Sequence, residues 1–469
     1  MSALIDHTRL HRTAKYFMDT GRASTHGEAM DLLRGFGLSI HVGFEIKDSA
    51  QHQIALLSLV NLARRTFLGG VEVIGIPDAP LLTPLARTSD VASAVKLLGG
   101  KLVEHSSCIW PSAIIGTCTA ERGAAASWQL TWAGWRGGVV PVHDGRRLAE
   151  RMANPLAPAI AAAACAAELF AWHAGDHPMA GRRIAGLSLW QPGREWIEDD
   201  ATEPVLSYLP SRLWLIGLGN LGQAFAWLLA CLPYADRSKV ELVLQDFDRI
   251  AESNDSTSLL SSLALVGQKK SRAIGKWLEE IGFTTAIEER RFGAWTQRAP
   301  HEPGVALCGV DNALARADLG KAGFDLVVEA GLGAGPGGFR NFSMHTFPSS
   351  RSPHQIWSRD VQGTVADVSL MPAYASLRKA GFDTCGLAQL TSRTVGVSFV
   401  GLIAGAFAIA EPLRRLHGGD GLELVSGSVA SLEDVEASCM SFMPYAFGHL
   451  PVIDSGAASF TQSCAAISS

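Results

Sequence analysis

The chain has 469 residues, more than one ordinary core holds, so two or three domains are expected. A composition of 47% hydrophobic and 18% charged residues is that of a globular protein, and a net charge of −5 gives no basic field to attract nucleic acid or an anionic membrane. The eight cysteines are scattered without a C-x-x-C pair, which argues against a zinc ribbon or a disulfide scaffold and makes the cytoplasm the default compartment.

The N-terminal stretch MSALIDHTRLHRTAK has no apolar core of a signal peptide. A helical region over Thr8–Phe36 leads to a short apolar run, Leu38–Val42, a helix over Gln51–Phe67 and a strand that ends near Asp78. A helix near Val91–Leu98, strands near Ser107–Ile115 and Trp128–Val142, and the small-residue helix Pro155–Trp172 complete a first half. The segment Gly175–Leu209, rich in Pro, Gly and charge, reads as a linker. The second half repeats the order of elements and closes on a second small-residue helix, Val395–Leu413. Both apolar helices have about membrane-spanning length, yet each carries a glutamate (Glu168, Glu411), and they read as buried helices of an α/β core. His41-Val42-Gly43-Phe44 stands where the first half would place a glycine turn but lacks most of the glycines. That half is either a degenerate copy without a phosphate loop or an unrelated α/β domain.

The richest stretch is Leu213–Asp248, LWLIGLGNLGQAFAWLLACLPYADRSKVELVLQDFD. An apolar strand runs into Gly217, Gly219 and Gly222; a helix follows, then a second strand that ends in Asp246 and Asp248. This is how an α/β fold builds a nucleotide site, with backbone and helix N-terminus approaching a phosphate and an acid placed for a ribose. Downstream come Glu252-Ser253-Asn254, a helix opened by Gly267-Gln268-Lys269-Lys270, and a strand ending in Asp311-Asn312 with Arg316 beyond. Acids for a ribose, an amide and a lysine for phosphates, and another acid for Mg²⁺ suit ATP; a dinucleotide has no need of the lysine or the second acidic site.

These residues, read as GLGNLG, DFD, SNDSTS, GQKK and GVDNALAR in order, resemble the adenylyltransferase domain of the ThiF family. That family contains the activating enzymes of ubiquitin-like proteins and the sulfur-carrier activators of thiamine and molybdopterin synthesis. The resemblance covers about Leu213–Phe347 and extends to Gly419. It implies that Asp246 binds the ATP ribose, Asn254 and Lys270 phosphate oxygens, and Asp311 a Mg²⁺ ion. The implied chemistry is attack of a carboxylate on the α-phosphorus with release of pyrophosphate, catalysed by positioning and charge neutralisation.

The family's Arg and Gln after S-N are Thr257 and Ser258 here, so one cationic phosphate contact is missing. In family dimers an arginine from the partner's N-terminal helix also enters the site; Arg9 and Arg12 stand at a comparable place, as either such a finger or solvated surface groups. Thioester-forming members carry a cysteine in the crossover segment, here about Ser349–Thr394, and Cys385 is its cysteine: a nucleophile or a small structural thiol. Cys165, Cys231 and Cys308 read as core, and Cys464 as a tail residue. The tryptophans of Trp128–Trp135 fit core packing better than a docking surface. His345, His354 and His417 have no metal spacing, and no structural zinc is expected.

The expected fold is therefore α/β with two tandem Rossmann-like ThiF halves: a degenerate half over 1–174, a linker over 175–209, an adenylation domain over 210–419 and a loose extension over 420–469. The expected function is ATP- and Mg²⁺-dependent adenylation of the C-terminus of a ubiquitin-like or small carrier protein or a precursor peptide. The halves would pair as a pseudo-dimer within the chain, or two chains as a homodimer, with no nucleic-acid or membrane partner. The alternatives are an NAD(P)-dependent oxidoreductase using the same glycine turn and a non-catalytic scaffold that has lost turnover.

Overall fold

The computed structural model describes residues 7–107, 109–118, 126–151, 153–357, 368–382, 384–440 and 445–452. The chain opens with α1 (Ala14–Asp19) and α2 (His26–Arg34), the latter capped by Thr25, whose side chain accepts from Glu28 N. Then follow β1 (Gly37–Val42), α3 (Ala50–Thr66), β2 (Gly70–Ile74), α4 (Val91–Leu97), β3 (Lys101–Leu102), β4 (Ser112–Ile115), β5 (Ser127–Ala133), β6 (Arg136–Pro141), α5 (Leu156–Ala174) and β7 (Ala185–Ser188). These strands form one sheet in the order β3-β2-β1-β4-β5-β6-β7, parallel as far as β5 and antiparallel at β6 and β7. β1 is buried throughout, as a parallel strand covered on both faces must be, which is why it reads as an apolar run.

After β8 (Tyr208–Pro210) the pattern recurs. The elements are β9 (Arg212–Ile216), α6 (Asn220–Cys231), β10 (Glu241–Gln245), α7 (Lys270–Glu280), β11 (Thr284–Glu288), β12 (Val305–Cys308), α8 (Ala313–Ala317), β13 (Leu326–Leu332), α9 (Gly335–Gly338) and β14 (Asn341–Phe347). A crossover segment with α10 (Pro353–Trp357), α11 (Pro372–Lys379) and α12 (Thr384–Ser392) leads to α13 (Ser398–Leu416), β15 (Gly421–Ser428), β16 (Ser431–Met440) and β17 (His449–Pro451). The second sheet runs β11-β10-β9-β12-β13-β14-β15-β16, again parallel through its first five strands and antiparallel after them. Strand order and direction thus repeat from one half to the other. The fold is α/β, in two Rossmann-like halves.

The halves meet through helices. α5 packs on α13, α3 lies against α5, and α6 lies against α13. Helices in such a layer have no solvent face, so α5 and α13 are apolar all round, and α5 is buried along almost its whole length. Their glutamates are buried ion-pair partners: Arg183 Nη2 donates to Glu168 Oε1 at 2.7 Å, and Arg415 Nε to Glu411 Oε1 at 2.7 Å. Trp128, Trp132 and Trp135 are buried in the first half and belong to its core, as do Cys165, Cys231 and Cys308 to theirs.

Two sequence expectations need correction. The span 175–209 is more than a linker, because β7 within it is the last strand of the first sheet. The span 420–469 is not a loose extension over its first part: β15 pairs with β14, and β16 completes the second sheet. Neither strand leaves a clear mark in the sequence, for a physical reason. β7 is four residues in a Pro/Gly-rich setting, and β16 buries only Leu432 and Val435, too few to print an alternating pattern. Cys464 and the rest of the tail lie outside the described residues.

Candidate functional site: a cleft at the carboxyl ends of the second sheet

A cleft of about 530 Å³ opens beyond the carboxyl ends of β9, β10 and β12, where strand order reverses and open α/β sheets bind ligands. Gly217, Gly219, Asp246, Asp248, Asn254, Lys270 and Asp311 all line it, together with Arg12. Gly222, Arg9 and Cys385 do not.

The three glycines have three separate reasons. Gly217 has φ +83°, the left-handed region that turns the chain off β9. A Cβ on Gly219 would meet no protein atom within 4 Å, so its missing side chain leaves room on the cleft side. A Cβ on Gly222 would stand 1.9 Å from Gly217 O, so this glycine lets α6 pack on its own entry turn.

The acids are held by their neighbours. Asp246 is buried and accepts from Leu218 N (2.7 Å) and Asp248 N (2.8 Å), which ties the tip of β10 to the glycine turn. Asp248 is half exposed, and its Oδ2 receives Lys270 Nζ at 3.2 Å. Lys270 opens α7 and is itself buried. Asn254 accepts from Ala251 N through Oδ1 at 2.9 Å, so the hydrogen-bonding capacity it retains is chiefly its two N–H donors. Asn312 caps α8, taking Leu314 N and Ala315 N on Oδ1, and so presents Asp311 at the strand end.

The cationic side of the cleft holds four arginines. Arg12 reaches in from the N-terminal segment, its Nε donating to Thr394 O and its Nη2 to Thr394 Oγ1, both at 2.7 Å. Burial, with Arg393 beside it, lowers Arg12 to about 10, and Asp311 opposes the shift. It therefore stays a cation at neutral pH. Arg12 lies next to Thr257: a Cβ on Gly396 would be 2.9 Å from Thr257 Cγ2 and 3.4 Å from Arg12 Cβ. Arg393, Arg291 and Arg316 also line the cleft. Arg291 sits over the Phe247 ring at 5.4 Å, and Arg316 is fixed by Val310 O (2.8 Å) and by buried Glu329 (3.0 Å). Glu329 also meets His345 Nδ1 at 3.1 Å. No sequence signal marks Arg291 or Arg393 as cleft residues, because neither belongs to a motif. Arg9 pairs instead with Glu252 at 3.2 Å on the surface.

Cys385 is exposed on α12, outside the cleft, in the segment that runs through Arg393 to Val397 along the cleft wall. Among the described residues no group of three or more His, Cys, Asp or Glu forms a metal cluster. A Mg²⁺ ion held by one carboxylate, substrate phosphates and water needs no such cluster, and Asp311 suits that role.

In the first half the equivalent place is filled. Both Glu45 carboxylate oxygens accept from Thr117 N at 3.0 Å, between the turns after β1 and β4. A Cβ on Gly43 or Gly116 would lie 2.5 or 2.6 Å from Glu45 Oε2. Burial works against this carboxylate, but the Thr117 hydrogen bonds prevail and lower it to about 2. A fixed anion thus stands at the turn after β1, the counterpart of the glycine turn after β9.

Two Rossmann-like halves, the second with a glycine-lined cleft at its strand ends, define the class: a double α/β protein. Residues 209–419 match the model of the BilD C-terminal domain, and residues 37–189 that of the BilD N-terminal domain. Over 458 residues the chain is 57% identical to the bacterial E1-like protein BilD of Collimonas sp. (strain OK412), covering 97% of this chain and 99% of that one. The chain belongs to the BilD family. Among solved structures it is similar to E. coli MccB with succinimide (TM-score 0.34, 12% identity) and to E. coli MccB with ATP (TM-score 0.32, 11% identity). Each similarity covers 50% of this chain and spans 65% of the MccB chain.

Proposed function

We propose that this protein adenylates a carboxylate, the C-terminus of a ubiquitin-like protein or a small peptide, using ATP and Mg²⁺ in the cytoplasm. The observation that carries the reading is the convergence of Gly217, Gly219, Asp246, Asp248, Asn254, Lys270 and Asp311 on one cleft. Kinship with a bacterial E1-like protein supports it.

A carboxylate oxygen attacks the α-phosphorus, the bond to the bridging oxygen of pyrophosphate breaks, and an acyl-adenylate and pyrophosphate result. The Gly217–Gly222 turn and the N-terminus of α6 receive phosphate oxygens. Asp248, and the lone pairs that Asp246 retains, meet the ribose. Lys270, Asn254 and Arg12 neutralise and orient the phosphates, and no general base is needed because the nucleophile is already ionised. Asp311 would hold Mg²⁺, which when bound offsets charge on the departing pyrophosphate. Arg12 and Arg393 supply beside Thr257 the positive charge that Thr257 lacks, which favours an active enzyme over a scaffold. Cys385, exposed on α12 outside the cleft, is the candidate thiol for a subsequent step in which its sulfur would attack the acyl carbon, lose its proton and release AMP to leave a thioester.

The test uses the full chain, with ATP and NAD titrated separately by calorimetry. Exchange of labelled pyrophosphate into ATP is then followed with a small partner ending in Gly-Gly or a short precursor peptide. Binding of ATP, and exchange that disappears in Asp311→Ala, are expected; absence of ATP binding sinks the reading.

A further inference from the structure

We infer that Arg65, on α3 of the first half, is a positioning residue for the cleft of the second half: it fixes the loop that carries Asn254 and Thr257. The inference rests on the reading of the cleft as an ATP site. The loop from Ala251 to Ser261 has only a short 3₁₀ turn of its own, Glu252–Ser256, so many of its carbonyls need donors from elsewhere. Arg65 serves three of them, sharing Ser261 O with Arg64 Nη2 (3.1 Å). Its Nη1 donates to Asp255 O and its Nη2 to Leu259 O, each at 2.6 Å, and both reach Ser261 O at 3.2 Å. Those carbonyls bracket Thr257 and begin one residue after Asn254. Asn61, one helical turn earlier, sets the plane of the fork: its Oδ1 accepts from Nε (3.2 Å) and Nη2 (3.1 Å), while its Nδ2 donates to Leu259 O (3.1 Å).

The opposite side of the loop is tied to the glycine turn. Gln223 on α6 accepts Leu260 N at 2.8 Å and donates to Leu218 O at 3.1 Å and Ser261 Oγ at 3.0 Å. The loop is thus clamped between the helix that opens the phosphate turn and a helix of the half without one. Arg65 is 2% exposed, and its nearest carboxylate, that of Asp255, is 3.7 Å away. A guanidinium buried at that cost is retained where several carbonyls must be satisfied in one plane, which a lysine ammonium does not do.

Arg65→Lys is compared with Arg414→Lys. Arg414 is an equally buried arginine whose guanidinium also serves carbonyls, those of Trp190 and Asp420, away from the loop. Thermal unfolding, ATP affinity by calorimetry and backbone hydrogen exchange over 252–261 are measured on the full chain. Arg65→Lys is expected to weaken ATP tenfold or more and to speed exchange in that loop, while Arg414→Lys loses comparable thermal stability and keeps ATP affinity within twofold. Asn61→Ala, the gentler change, is expected to move both readouts in the same direction by about threefold, and it stands in if Arg65→Lys does not fold. Unchanged loop exchange or unchanged ATP affinity in the variant that folds overturns the positioning role, as does an equal loss of affinity in Arg414→Lys. Wild-type protein that binds no ATP overturns the cleft reading itself, and the loop exchange then still reports whether the clamp exists.

Discussion

Gly219 and Gly222 lie one turn apart, and the structure assigns them opposite kinds of importance. An alanine Cβ at 222 would stand 1.9 Å from Gly217 O, and real Cβ contacts essentially never fall below 3.0 Å. The first turn of α6 must therefore retreat by about 1 Å against backbone, with Leu221, Ala224 and Phe225 packed beneath it. Overpacking of that kind costs about 1–3 kcal/mol, and it lands on the turn proposed to receive phosphate. Alanine at 219 meets nothing within 4 Å, and its φ of −82° lies outside the left-handed region that favours glycine. Its effect on stability is expected within about 0.5 kcal/mol, the range of a surface change. Its methyl, however, stands where a phosphate would approach the backbone, so ATP affinity is expected to fall at least tenfold, about 1.4 kcal/mol. Urea unfolding and ATP calorimetry on both variants separate the two effects. Gly219→Ala that binds ATP like wild type refutes the placement of phosphate on this turn, and Gly222→Ala with wild-type stability refutes the packing account.

Three further expectations follow from other parts of the molecule. Arg12→Ala should weaken ATP about tenfold while Arg9→Ala changes it less than twofold, because only Arg12 lines the cleft; equal effects by calorimetry contradict this. Lys15 is buried with its Nζ 2.6 and 2.8 Å from the Asp19 oxygens and 2.6 Å from Tyr374 Oη, joining α1 to α11. Lys15→Met strands a buried carboxylate and should cost about 3–5 kcal/mol, whereas Lys15→Met with Asp19→Leu should recover much of it; urea unfolding that ranks the double variant below the single one excludes the account. Burial, with help from His26, lowers His11 to about 4 from its ordinary 6.5. The unfolded chain then binds the extra proton, so stability falls as pH drops from 6.5 to 4, by up to about 3 kcal/mol. His11→Asn keeps an acceptor for Ala14 N and should lessen the fall of melting temperature over that window, the remainder coming from His26, which burial also lowers to about 4.

How much was legible in the chain depended on range. The glycine turn, the acids after β10 and Lys270 were readable because each sits at a fixed offset from a strand end, and strand ends are where apolar runs stop. The repeated order of elements was readable too, although the residues differ, since alternation of apolar runs and helical patterns survives substitution. The choice between Arg9 and Arg12 was not readable: three positions apart on an irregular segment, they differ only in which way the fold turns them. Arg65 left no mark because its partners are carbonyls, which every residue carries, on a loop remote in sequence. Glu45 was equally silent, its role resting on the backbone of Thr117 across the sheet.

Arg12 and the α3 clamp come from the same polypeptide as the cleft that they complete. A site assembled from two separate chains dissolves on dilution, and its specific activity falls with protein concentration. Here Arg12 and the α3 residues are tethered to the cleft, so their part of its lining is independent of protein concentration. In the first half the turn after β1 is closed by Glu45 on Thr117 N, so that half meets the cleft as a brace: α3 holds the loop that carries Asn254.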